Sequence, residues 1–155
     1  MNSLWLNRIS AYKYSPCSIE SARRLIGIKV KRQGKLLMKY KKQSFVLNLQ
    51  NSNTIQEILL EEARAAKYFW QQFSDLLPTE IHFPGRIPHT TDVTNTLLDI
   101  GYHHLMNIVK DILDQYNTPP AIGLIHSARK TKSVPLVYDM VEMFRADIVD
   151  TEVLR

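Results

Sequence analysis

The apolar positions fall into four stretches of helical period, separated by segments rich in proline, glycine and short polar residues. In the first, Ile26, Val30, Gln33, Leu37 and Tyr40 recur at spacings of four, three, four and three, one stripe of a helix, with Arg24, Arg32, Lys35, Lys39 and Lys42 roughly opposite. Ser18 is the expected N-cap. Gly27 and Gly34 lie on one flank and together cost about 2 kcal/mol of helix propensity relative to Ala. Another backbone, or a ligand, is therefore expected to approach there. A second helix starts at Thr54, which stands with Glu57 in the T-x-x-E relation of a capping box. Its apolar positions are Ile55, Ile58, Leu59, Ala66, Phe69, Phe73 and Leu76, and Leu77 and Pro78 close it. A third begins after Thr91 or Asp92 and runs to Tyr116, with Val93, Leu97, Leu105, Ile108 and Ile112 inward and Gly101 marking close packing. The last runs from Val134, capped by Ser133, to Ala146.

The intervening segments support no sheet. Residues 1–17 read as an arm or linker, and residues 18–155 as one helical domain. The run Phe45 to Leu49 is a turn-like or short helical connection, since a strand would lack a partner. A proline-rich loop at 78–91 holds His82 and His89. After Pro119 and Pro120, Ala121 to His126 fits either a helix or a strand, and Ser127 to Ser133 is a basic loop. The expected fold is all-α.

A chain of 155 residues with 45% apolar content suits one modest core. The single cysteine, Cys17, excludes an internal disulfide and a thiolate-rich zinc site, making a reducing compartment the default. No apolar run approaches the ~20 residues of a membrane span. Met1 to Arg8 lacks the apolar stretch of a secretory signal, so a cytoplasmic location is expected. The net charge of +5 is unevenly spread, with +10 over residues 1–43 and −5 over the rest. That split suggests an anion-binding face beside a carboxylate-bearing body.

Among the acids, Glu62 is the most informative, because a carboxylate on the apolar stripe of the second helix must be paired or bound to a cation. A Lys or Arg from another helix satisfies that requirement as well as a metal does. Glu61 is off the stripe and expected to be solvated. Asp139 and Glu142, three apart, share a face opposite Val137, Val141, Phe144 and Ile148, and either address one ligand or sit exposed. His126, at the mouth of a loop, is either a hydrogen-bonded structural residue or a ligand. Together one His and two or three carboxylates make a hard-oxygen site with one borderline nitrogen, suited to Mn²⁺ or Mg²⁺. His103 and His104 point about 100° apart, His82 and His89 have no acidic cluster near them, and no phosphate-binding loop or nucleophile elbow occurs.

The last forty residues narrow the field. The run Ile122-Gly123-Leu124-Ile125-His126-Ser127, then Arg129, Pro135, Asp139, Glu142, Phe144-Arg145 and Val149-Asp150, resembles the G-x-x-H-S, P-x-x-x-D-x-x-E-x-F-R and V-D signature of the CRISPR adaptation integrase, the first-numbered of the CRISPR-associated proteins. Other segments agree in order: Ala22-Arg23 with Lys29 and Gln33, then Glu62 with Ala65-Ala66 and Phe69-Trp70, then Val93, Asn95, Leu97-Leu98 and Gly101-Tyr102. The resemblance covers residues 4–155.

It implies that family's helical catalytic domain, in which a Glu, a His and a second acid bind a divalent metal. Transferred by motif these are Glu62, His126 and Glu142, with Asp139 as a neighbouring catalytic acid. It further implies cutting of DNA and joining of spacer DNA to a repeat by attack of a 3′-hydroxyl on a phosphodiester, with Mn²⁺ or Mg²⁺ as cofactor. Arg32, Lys35, Lys39 and Lys42 would follow the DNA backbone, and Arg129, Lys130 and Lys132 would hold phosphates near the metal. The family's N-terminal β-rich domain, used for dimerisation and for docking its small companion subunit, has no counterpart before Met1, and the family continues past the point where this chain stops. A catalytic core lacking both ends is therefore expected. A catalytically inactive DNA-binding remnant, or a fragment needing a separate partner, are the alternatives.

Overall fold

Helix α1 (Pro16–Lys39) starts ahead of the expected Ser18 cap, because Pro16 occupies the first turn, where its missing N–H costs nothing, and Ser15 takes the extended cap conformation. Ser18 lies inside that turn, where its hydroxyl donates to the Ser15 carbonyl at 2.8 Å. The computed structural model describes residues 7–8, 11–12, 15–126 and 134–155; the expected cap Ser133 and the basic loop lie outside them. The α1 stripe is buried as expected at Ile26, Val30, Gln33 and Leu37. At Gly34 a Cβ would sit 2.9 Å from the Ser44 Cβ, so the expected close approach is made there by the chain itself. Gly27 has nothing within 4 Å, and the expectation fails at that position.

The approaching residue, Ser44, leads into the Phe45–Leu49 run, which is neither helix nor strand. Its side chains alternate, with Phe45, Leu47 and Leu49 packed on the cluster of Ala22, Ile26, Val30 and Ile58 while Val46 is exposed. Helix α2 (Ile55–Ser74) has its complete capping box: the Thr54 hydroxyl accepts the Glu57 N–H, and the Glu57 carboxylate accepts the Thr54 N–H, both at 3.2 Å.

Helix α3 (Val93–Gln115) is rotated relative to expectation. Leu105 is buried, but Val93, Leu97, Ile108 and Ile112 are exposed, and the inward face is Thr94, Asn95, Leu98, Leu105, Val109 and Leu113. Two adjacent stripes of this helix are apolar, and polar anchors choose between them. Asn95, fully buried, accepts from the Arg86 guanidinium at 2.9 Å and the Ile87 N–H at 3.0 Å and donates to the Gly85 carbonyl at 2.9 Å, which ties α3 to the proline-rich loop. Gly101 faces Val149, whose Cγ1 would lie 2.5 Å from an added Cβ, as close packing there requires.

Helix α4 (Pro135–Glu142) is followed by a π-helical turn (Ala146–Asp150) and a final turn, α5 (Thr151–Val153), so helical structure extends past Ala146. Segment 121–126 is neither helix nor strand. The core has two parts. Leu37, Phe69, Phe73, Leu98, Val109, Val137 and Val149 belong to one, and Leu25, Ile26, Ile58, Ala65 and Ile125 to the other. All regular elements among the described residues are helical, and no helix among them is long and apolar enough to cross a membrane.

Candidate functional site

Lys29 of α1 follows Ile26 on the apolar face, and its side chain is only 5% exposed. Its ammonium contacts the Glu62 carboxylate of α2 and lies 2.7 Å from Glu142 Oε2 of α4. Three helices thus deliver one cation and two carboxylates to one interior position. Glu62 is paired by a lysine from another helix, one of the two outcomes its place on the stripe allows. Arg145 adds a second cation, donating to Glu142 Oε1 at 2.8 Å. Burial pushes the Glu142 carboxyl up, but Arg145 and Lys29 outweigh it and hold the group below its ordinary value. Glu142 Oε2 is buried, with the Lys29 ammonium as its close cationic neighbour.

His126 is held from behind. Asp139 is wholly buried; its Oδ2 accepts the N–H groups of Leu124 and Ile125, and its Oδ1 accepts the His126 N–H at 3.2 Å and lies 2.6 Å from His126 Nδ1. The carboxylate keeps the ring proton on Nδ1 and leaves Nε2 free on a half-exposed ring. The Asp139 hydrogen bond raises the His126 pKa against the opposing effect of burial. Gly123 makes this possible, since a Cβ there would lie 2.6 Å from the His126 carbonyl and 2.7 Å from Asp139 Oδ2.

Asp139 therefore does not point away from the core but is buried beneath the loop that carries His126. The segment Leu124 to His126 wraps over Asp139 and donates its backbone N–H groups to both carboxylate oxygens. Ile148, expected inward, is half exposed, and Glu61 pairs with Arg64 rather than lying fully solvated. Beside Glu142 a cavity of about 380 Å³ is lined by Arg86, Asp99, Tyr102, Tyr138 and Arg145, among others. The Tyr102 hydroxyl hydrogen-bonds Asp150, and the Arg86 and Arg145 guanidinium carbons lie 5.2 and 5.5 Å from its ring centroid.

The structure does not bring all the expected ligands together. Among the described residues no group of three His, Cys, Asp or Glu side chains is close enough to hold a metal ion, while Lys29 stands between Glu62 and Glu142. Of the expected DNA track, Lys35 and Lys39 are exposed. Arg32 is turned to Asp147 at 3.2 Å and over the Phe144 ring, and Lys42 to Asp75 at 3.2 Å. Arg129, Lys130 and Lys132 lie outside the described residues. The roles of Lys29 and Arg145 were not foreseen, although Lys29 sits on an apolar stripe just as Glu62 does.

Comparison with known proteins gives this geometry a lineage. The family described as CRISPR associated protein Cas1 matches residues 2–155. A relative named CRISPR-associated endonuclease Cas1 1, from Saccharolobus solfataricus, is 30% identical across 97% of this chain and 46% of its own length. A second protein of that organism, CRISPR-associated endonuclease Cas1 2, is 38% identical across 60% of this chain and 30% of its own. The chain thus spans less than half the length of these relatives. The fold is shared with a casposase bound to integration product, with a TM-score of 0.80 and 24% identity over 94% of this chain and 45% of that one. It is also shared with a CAS1 protein from Thermotoga maritima, with a TM-score of 0.81 and 21% identity over 94% and 50%. With a family match running over nearly every residue, the chain belongs to the Cas1 family of CRISPR-associated proteins.

Proposed function

We propose that this chain carries the metal-dependent core of a DNA endonuclease or integrase that acts on phosphodiester bonds in CRISPR spacer acquisition, with Glu62, His126 and Glu142 holding Mn²⁺ or Mg²⁺. The observation that carries this reading is the convergence of carboxylates from α2 and α4 on one buried cationic position. The donor chemistry fits, since two carboxylates and an imidazole suit a hard divalent ion. Relatives named as endonucleases support the reaction class.

When bound, the ion supplies charge that polarises a phosphate and offsets developing negative charge. The protein's own part is positioning. Asp139 fixes the His126 ring with Nε2 forward, and Arg145 keeps Glu142 ionised. Lys35 and Lys39, with Arg129, Lys130 and Lys132, would bind DNA phosphates. The small companion subunit of CRISPR adaptation is the proposed protein partner.

In purified protein with duplex or branched DNA, His126→Ala and Glu142→Ala should each lower Mn²⁺-dependent cleavage or joining by about a hundredfold or more, with DNA binding preserved. Full metal-dependent activity in both variants would sink the assignment. A second reading draws on Lys29, which already neutralises the carboxylates. A non-catalytic DNA-binding protein would bind DNA in a salt-sensitive way in EDTA and show no turnover with either metal.

A further inference from the structure

Lys29 differs from an ordinary structural counter-ion in two respects. Its ammonium touches Glu62 and lies 2.7 Å from Glu142 Oε2, so one cation serves two carboxylates from two other helices. One helical turn further along α1 is Gln33, only 2% exposed, with both its amide nitrogen and its amide oxygen unpartnered among the described residues. Residues four apart on a helix are neighbours, and a buried amide without partners is costly. Gln33 Oε1 is thus an unmet acceptor on the same buried face of α1, one turn from Lys29.

We propose that Lys29 is a displaceable counter-cation: its ammonium holds Glu62 and Glu142 together in the ion-free protein and withdraws to the Gln33 side chain when a divalent ion enters. This rests on the reading of these carboxylates as a divalent-ion site. Two carboxylates facing each other in a buried setting repel and would splay apart or take up a proton without a cation between them. Lys29 prevents both and keeps the oxygens in place. It also makes them unavailable.

With Lys29 and Arg145 opposite Glu62 and Glu142, the four formal charges cancel. A divalent ion added to that arrangement would leave two uncompensated positive charges in the interior with an ammonium in contact, so ion and ammonium compete for the same oxygens. Lysine suits such a role because its charge is compact and its stem has many rotamers, whereas the planar fork of arginine would lock both carboxylates.

The test uses the full chain and Mn²⁺ alone, with binding measured by calorimetry and melting followed in EDTA and in Mn²⁺. Lys29→Gln should melt lower than wild type in EDTA, bind Mn²⁺ about tenfold tighter, and gain more melting temperature from the ion. Should Lys29→Gln fail to fold, Lys29→Arg decides, with normal melting in EDTA and Mn²⁺ binding about tenfold weaker than wild type. Gln33→Leu, which removes only the second acceptor, should weaken Mn²⁺ binding severalfold without lowering the EDTA melting temperature, an outcome that a purely structural role does not produce. Wild-type affinity in both Lys29→Arg and Gln33→Leu overturns the proposal. Glu142→Gln separates it from the reading beneath it. If wild type binds no Mn²⁺, or Glu142→Gln binds it equally well, the divalent-ion site itself is wrong. If only Glu142→Gln loses binding, the site stands without displacement of Lys29.

Discussion

Asp150 and Glu142 share a neighbourhood and are pushed in opposite directions. Burial raises the Asp150 pKa to about 6, against the pull of Arg145 and of the Tyr102 hydroxyl. Glu142, with Lys29 and Arg145 both within ion-pair distance, is lowered. The signs matter for stability. The Asp150 contribution is full below its unfolded value of 3.8 and is lost as pH rises through about 6. That of Glu142 is present above the ordinary 4.5 and is lost as pH falls through its lowered value. Between pH 4 and pH 7, Asp150→Asn should therefore gain stability relative to wild type, by on the order of 3 kcal/mol, as read from denaturant titrations at both pH values. A constant offset would show that Asp150 does not titrate in that window. The charge on the α2 stripe made Glu62 legible as a residue that needs a cation, and the same argument extends to Lys29. Asp139 was not legible, because its surroundings come from a loop closed by Gly123, and no helical period describes that closure.

Among the elements, α2 was the most readable, since its capping box and its Ile58, Phe69 and Phe73 stripe agree on one register. Helix α3 was readable in existence and length and misread in rotation. With apolar residues on two adjacent stripes, periodicity leaves the choice to Asn95 and Gly101, whose partners lie elsewhere in the chain. The π turn after α4 was invisible for a similar reason, as wide turns of this kind depend on tertiary demands more than on composition. The Gly101 contact has a measurable side. Gly101→Ala should destabilise the protein by about 1–3 kcal/mol through overpacking against Val149, overriding a gain of nearly 1 kcal/mol in helix propensity. Adding Val149→Ala should recover part of the loss in the same urea titration. A simple gain in stability from Gly101→Ala would place the α3–π-turn contact elsewhere.

Across the whole molecule, the uneven charge is partly spent inside. Lys29 is consumed by the interior site, and Arg32 and Lys42 by ion pairs to Asp147 and Asp75, which leaves Lys35 and Lys39 as outward cations of the expected track. Replacing both with Gln should lower the slope of log affinity for DNA against log salt by about one unit per lost phosphate contact. An unchanged slope in a filter-binding or anisotropy titration would move the nucleic-acid face off α1. The sequence showed the excess of charge but could not show which cations face inward, because that depends on carboxylates far along the chain. The same separation has a consequence in time. Lys29 and Glu62 belong to the first half of the chain, and Glu142 follows Glu62 by an interval that takes a ribosome roughly 4–16 s to synthesise. Until then Glu62 is the sole carboxylate of the two available to Lys29, and the second arrives only with α4. The pairing of both carboxylates with Lys29 is thus a late event in biogenesis, after the basic helix has been made.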